Sequence, residues 1–258
     1  MPCFFILFGM NSIMISFFIT SMAGLSTMLG IVPIYWKRYQ EGVVLPVCLM
    51  FASGVMLTIS FCSLIPEAFS LIRENNFLFP SVLLVLIFIV IGILFSSKIS
   101  KKIEEKFSSN YLYRLGLISV IALCFHNLPE GIMTFLSSNH DLSLGISLSL
   151  GIALHNIPEG ISVAIPIYYA THSKKKAIFY TFISGFSELL GAVIAYLFLS
   201  PILTSFILGV ILAIAAGIMI YISFYELIPT AFRYPVTGFY LLSFLLGIGV
   251  MSLCHFFL

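Results

Sequence analysis

Two six-residue frames concentrate the reactive side chains of this sequence: His-Asn-Leu-Pro-Glu-Gly at 126–131 and His-Asn-Ile-Pro-Glu-Gly at 155–160. On a helix His126 and Glu130 stand four residues apart and Asn127 and Glu130 three, so all three side chains share one face. His155, Asn156 and Glu159 repeat the arrangement. Two such helices set face to face offer two imidazoles, two carboxylates and two amide oxygens. That mixture suits borderline divalent ions such as Zn²⁺, Fe²⁺, Mn²⁺ and Co²⁺. Neither frame holds a cysteine, which argues against Cu⁺, and an oxygen cage for Ca²⁺ or Mg²⁺ would not need the histidines. Pro129 and Pro158 each remove a helix hydrogen bond and free the carbonyls of Phe125 and Leu154. Gly131 and Gly160 are expected to let the two helices approach closely. Glu188, in the stretch Ser-Gly-Phe-Ser-Glu-Leu-Leu-Gly-Ala (184–192), is the next candidate ligand.

The elements that must hold these groups are membrane helices. Hydrophobic residues make up 60% of the 258, charged residues only 9%, and the mean hydropathy is +1.15. A soluble domain needs far more charge to coat its surface. A spanning helix needs about 20 apolar residues, and the apolar windows fall at roughly 9–35, 43–70, 77–96, 115–136, 143–170, 178–199, 203–231 and 238–257. The reading is an all-α bundle of eight transmembrane helices in one domain, with a turn at Ser200-Pro201 dividing windows six and seven. The first cation is Lys37, so no basic leader of the secretory kind is expected. The cysteines Cys3, Cys48, Cys62, Cys124 and Cys254 are scattered singly and read as apolar filler. A net charge of +2 gives no reason to expect nucleic acid as a partner.

Eleven of the twelve Lys and Arg fall in or beside the odd-numbered connections, and only Arg73 in an even one. The positive-inside rule then puts those connections in the cytosol and both termini outside, in a multi-pass protein of a cell (plasma or inner) membrane. The third connection, about 97–113, is the one long polar stretch. It reads as a solvated loop in preference to a short amphipathic helix.

Glu130, Glu159 and Glu188 all fall near mid-membrane, where three bare carboxylates would cost about 8–10 kcal/mol together. Protonation, a bound cation or pathway water must offset that cost, and each of these describes an ion route. Glu67 and Glu226 lie nearer their helix ends, as entrance and exit relays or as groups snorkelling to the interface. His140, Asp141, His172 and His255 read mostly as surface residues, with weak capture of the ion as their alternative role.

Internal repeats point the same way. Gly54–Ala68 (GVMLTISFCSLIPEA) and Gly217–Ala231 (GIMIYISFYELIPTA) are identical at nine of fifteen positions. They occupy windows two and seven, which the topology runs in opposite directions. Inverted repeats mark secondary transporters, with the substrate site where the repeats meet.

The paired HN-[LI]-PEG frames, the Ser-Gly-x-x-Glu stretch, the Ser-Phe-x-x-Leu-Ile-Pro helices and the early Ala-Gly-Leu-Ser-Thr-Met-Leu-Gly (23–30) resemble the ZIP family of zinc/iron-regulated transporters, in particular its compact, broad-range bacterial members. The likeness spans essentially the whole chain. It implies eight helices in a three-plus-two-plus-three order, with an inverted repeat relating helices 1–3 to 6–8, often as a homodimer. It also implies uptake into the cytosol through a two-metal site on helices four, five and six. Carried over, His126, Glu130, His155 and Glu159 hold one ion. Asn127, Glu130, Asn156, Glu159 and Glu188 hold the other, the two shared glutamates bridging. This chain departs from the family in having Ser63 where relatives usually have Glu, Leu189 where they commonly have Pro, and no histidine-rich insertion after helix three.

The function expected is therefore transport of divalent metal (zinc foremost, with iron, manganese, cobalt and cadmium) across the bilayer, by carrier or selective channel. The metals are cargo and no resident cofactor is expected. A membrane-embedded metalloenzyme is the alternative. Against it, the chain lacks the H-E-x-x-H of zinc proteases and has too few membrane histidines for a multi-histidine di-iron oxidase.

Overall fold

The structure is a computed structural model that describes residues 12–35, 41–74, 77–107, 110–199, 204–235 and 238–257. Every long element among them is a helix, and eight are long and apolar enough to cross a membrane. In chain order they are α1 (Ser12–Tyr35), α2 (Gly42–Arg73), α3 (Leu78–Lys106), α4 (Tyr111–His140), α5 (Leu142–Thr171), α6 (Lys174–Leu197), α7 (Ser205–Ala231) and α8 (Phe239–Phe256). Windows six and seven are thus separate helices, while the turn expected at Ser200-Pro201 lies outside the described residues, as do Cys3, Lys37 and Arg38. The end bearing the first, third, fifth and seventh connections is called the basic end below.

Burial separates interior helices from perimeter ones. The most apolar stretches of α2 and α4 are 72% buried, against 22% for α3 and α8. The outer faces of α3 and α8 accordingly present Leu83, Leu86, Val90, Leu241, Leu245 and Leu253, an apolar belt matched to lipid. Packing gathers α1, α4, α5 and α6 into one group and α2, α3, α7 and α8 into another, with α5 against α2 and α4 against α7 at the boundary.

The helices start where short polar side chains replace missing backbone partners. Asn110 accepts from the Tyr113 amide at the head of α4, Ser173 from Lys176 at the head of α6 and Thr204 from Ile207 at the head of α7. Asp141, an expected surface residue, alone links α4 to α5 and accepts from the amides of Ser143 and Leu144. A one-residue link forces α4 and α5 into an antiparallel pair.

One expectation needs correction here. The stretch 97–106 is no loop: α3 continues unbroken to Lys106. Its Ser96 and Ser100 stay buried on one face while Lys98, Lys101 and Lys102 point out, and one turn further along that face Glu104 ion-pairs with Arg114. Arg114 itself belongs to α4, with a side chain only 12% exposed.

Both copies of the internal repeat contain a widened turn at matching positions, Ser60–Leu64 in α2 and Ile222–Leu227 in α7. Each precedes a proline, Pro66 or Pro229. Proline cannot donate to the preceding turn and its ring crowds it, so one extra residue is taken into the turn. The same sequence gives the same local defect in both repeats.

Candidate metal centre

Antiparallel geometry decides how the two frames meet. At about 1.5 Å rise per residue, His126 and His155 both lie about 21–23 Å from the Asp141 link and are level with each other. Glu130 sits roughly one turn nearer the link and Glu159 roughly one turn deeper. Each glutamate therefore reaches toward the histidine pair from the opposite side.

The side chains converge accordingly. His126 Nε2 lies 3.2 Å from Glu130 Oε1 and 3.3 Å from Glu159 Oε1, and His155 Nε2 lies 3.0 Å from Glu130 Oε1. The two imidazole rings are 6.5 Å apart between centroids. Donor atoms of His126, His155 and Glu159 lie within 4.8 Å of one another. A zinc ion with bonds of about 2.0–2.1 Å in tetrahedral array has ligand atoms separated by about 3.3–3.4 Å. The spacing found between these nitrogens and oxygens is close to that.

A second set lies beside the first. The Asn156 amide nitrogen donates to Glu188 Oε2 (2.8 Å) on α6 and to the Ala23 carbonyl (2.9 Å) on α1. The Asn127 amide nitrogen donates to the Ser184 carbonyl (3.1 Å). With both nitrogens engaged, the amide oxygens of Asn127 and Asn156 remain buried without a hydrogen bond, as do Glu130 Oε2, both carboxylate oxygens of Glu159 and Glu188 Oε1. Buried acceptors without donors are costly, and so many in one place form a donor set for a cation. Among the described residues no Lys or Arg pairs with Glu130, Glu159 or Glu188. Ser187 does not pair with Glu188; its hydroxyl donates to the Ser184 carbonyl (2.5 Å).

Glycine placement differs from the expectation. A Cβ on Gly131 would strike the Glu188 carbonyl of α6, and one on Gly160 would strike the Thr27 carbonyl and Gly30 of α1. The two glycines thus seat α6 and α1 against the frames and do not bring α4 to α5. The Ala23–Gly30 stretch of α1 has this structural part, with Ser26 also donating to the Ala153 carbonyl (3.0 Å). Across Pro129 and Pro158 the helices continue unbroken, and Phe125 and Leu154 turn their side chains outward.

A cavity of about 570 Å³ leads from Glu130 and His155 toward the end opposite the basic one, lined by α2, α4, α5, α7 and α8. Its mouth holds Glu67, which is exposed, and Ser63, whose hydroxyl is 3.2 Å from His255 Nδ1. Glu67 is therefore away from the central cluster but on the same cavity. His255, exposed as expected, lines it too, whereas His140 and His172 are exposed helix-end residues.

Glu226 also stands away from the centre, but toward the basic end, and it does not snorkel. It is 3% exposed. Its Oε1 accepts from Ser100 (2.6 Å) and its Oε2 lies 3.9 Å from the Arg114 guanidinium. Ser100 escaped the sequence reading because it sat in a stretch taken for a connection, and Arg114, at the edge of that stretch, counted there only towards the charge bias. The i,i+4 spacing of Ser96, Ser100 and Glu104 was the available signal.

Comparison with known proteins agrees with these observations. Residues 97–255 match the family described as ZIP zinc transporter. The chain is 36% identical over 260 aligned residues to the zinc transporter ZupT of Chlorobium luteolum, covering 95% of this chain and 98% of that protein. It is 38% identical over 232 residues to the ZupT of Streptococcus mutans, covering 85% and 88%, and 35% identical over 274 residues to that of Clostridium perfringens, covering 95% and 96%.

Proposed function

This chain belongs to the ZIP family of zinc transporters, and from that premise we propose that it takes zinc, and with it iron, manganese, cobalt and cadmium, into the cytosol through the His/Glu/Asn cluster between α4, α5 and α6. At the coarser level it is a multi-pass membrane transporter of divalent metal, not an enzyme. One ion would exchange its hydration shell for His126, His155, Glu130 and Glu159. A second would bind Asn127, Asn156 and Glu188, with Glu130 and Glu159 shared between the two. The basic end faces the cytosol in this reading and both termini face out, so the cavity is the external approach.

The observation that carries the reading is the spacing of 3.0–3.3 Å among imidazole nitrogens and carboxylate oxygens in a buried cluster with which no Lys or Arg among the described residues pairs. Protons compete for the same atoms, so loading with metal must release them and must weaken as pH falls. Metal uptake into proteoliposomes is the test. Glu130→Ala and His155→Ala are expected to lower it more than about a hundredfold, since even residues that only support a ligand are worth about 10–100-fold. Undiminished uptake in either variant would remove the site assignment.

A further inference from the structure

Seven side chains join three helices between the central cluster and the basic end: Ser100 and Glu104 of α3, Tyr111 and Arg114 of α4, Glu226 and Thr230 of α7, and Arg233 just beyond. Arg114 lies twelve residues from His126 along α4, or about 18 Å toward the basic end. Its guanidinium pairs with Glu104, which is 57% exposed, and stands 3.9 Å from buried Glu226. The Tyr111 ring lies against it, with the Arg114 guanidinium carbon 4.7 Å and the Arg233 one 3.6 Å from the ring centroid. The Tyr111 hydroxyl bonds Thr230 (2.7 Å), whose own hydroxyl donates to the Glu226 carbonyl (2.5 Å).

Buried here without a hydrogen-bond partner are Arg114 Nε and Glu226 Oε2, together with the hydroxyls of Ser223, one turn from Glu226, and Ser96, one turn from Ser100. The guanidinium is thus held firmly by the exposed carboxylate and loosely by the buried one. In the other repeat the residue matching Glu226 is Ser63, which is uncharged and lines the open cavity. Matching turns of the two repeats are open at one end and closed over a guanidinium at the other.

We propose that Arg114 is a tethered cation that closes the basic end of the pathway by neutralising Glu226. An ion released from the central cluster displaces it from beside Glu226 while its pairing with Glu104 keeps it tethered. A lone buried carboxylate would need a counter-ion, and a divalent ion arriving there would be retained. Arginine supplies one that never loses its charge. A doubly charged ion beside Glu226 repels the guanidinium toward its nearer partner, Glu104, and the returning guanidinium then expels the ion. This step rests on the transport reading above, whereas the closure without metal does not.

Water access to Ser223 tests both. In protein whose native cysteines are replaced, Ser223→Cys is exposed to a membrane-impermeant thiol reagent from the basic side, with and without zinc. With Arg114 present, labelling is expected to be slow and to rise several-fold when zinc is added. Arg114→Ala is expected to label several-fold faster already without zinc, and Arg114→Lys to restore slow labelling. Equal zinc-free labelling of the Arg114 and Arg114→Ala proteins, each monodisperse and with the same helical content, would overturn the proposal. So would faster labelling found only in protein that has lost its monodispersity or helical content. If Arg114→Ala does not fold, Glu104→Gln takes its place, because it leaves the guanidinium only Glu226. There zinc should no longer speed labelling, although equilibrium zinc binding is kept, and a preserved zinc response would overturn the displacement step. Loss of zinc binding by the parent protein would count against the central site alone, since the zinc-free comparison stands without it.

Discussion

The frames at 126–131 and 155–160 differ by one Leu-to-Ile exchange, yet their glutamates occupy unlike surroundings. Glu130 touches both imidazoles and lines the cavity. Among the described charged groups Glu159 touches only His126; it is fully buried and leaves both carboxylate oxygens without a hydrogen bond. Chain direction accounts for the difference. One residue, Asp141, turns the second helix back along the first, so equal spacing from His to Glu places one carboxylate above the histidine pair and the other below. A repeated motif on antiparallel helices thus makes a site with two unlike faces, as a pathway with an approach and a departure requires. The asparagines differ for the same reason: Asn127 braces α6 through Ser184, while Asn156 braces α1 through Ala23 and holds Glu188 directly.

The largest expected effects would break this comparison if they came out alike in every respect. Glu130→Gln and Glu159→Gln should each reduce zinc uptake more than about a hundredfold. Equilibrium zinc binding should separate them. Glu130→Gln removes the group in contact with both histidines, and with it most of the affinity. Glu159→Gln leaves His126, His155 and Glu130, a three-donor site of the kind that holds zinc with water in the fourth position. It should bind zinc yet fail to pass it. Calorimetric titration of both purified variants checks this, and equal losses of affinity would mean that the inverted arrangement has no consequence.

Much of this was legible in the residues, for physical reasons that also mark where legibility ended. Eight helices followed from the scarcity of charge, because hydrocarbon leaves the backbone few other choices. The His/Glu convergence followed from helical spacing, because positions i and i+4 meet whatever else the helix packs against. Neighbour identity is set by tertiary packing and did not follow. Nothing in Gly131 itself says that it faces Glu188, or in Gly160 that it faces Thr27. The fate of 97–106 was hidden for a related reason. A charged stretch is helical or not according to what receives its buried face, and the receiving groups, Glu226 and Arg114, are 126 residues from Ser100 and 10 from Glu104.

The glycines sharpen the comparison at the level of stability. Gly131→Ala would drive a methyl into the Glu188 carbonyl, and Gly160→Ala into that of Thr27. Overpacking typically costs about 1–3 kcal/mol, more than the roughly 1 kcal/mol alanine gains over glycine in a helix. Both variants should melt earlier in detergent. The Gly131 variant should also lose zinc affinity, because the backbone it displaces carries Glu188. The Gly160 variant, which displaces α1, should keep most of its affinity.

The smallest effect belongs to Glu67, and it contrasts an exposed carboxylate with the buried Glu130 on the same cavity. A charge at the mouth acts through water, where it attracts a unit charge at 4 Å by only about 1 kcal/mol, and salt screens it over about 10 Å at 0.1 M. Glu67→Gln should therefore raise the zinc concentration for half-maximal uptake a few-fold at low salt while leaving the maximal rate unchanged. The difference should fade in about 0.5 M salt, where the screening length is roughly 4 Å. Glu130 lies where screening does not reach, so the defect of Glu130→Gln should be the same at both salt concentrations. Uptake measured for the two variants across a salt series gives the contrast directly. A salt-independent defect in Glu67→Gln would move that residue from the approach into the binding site.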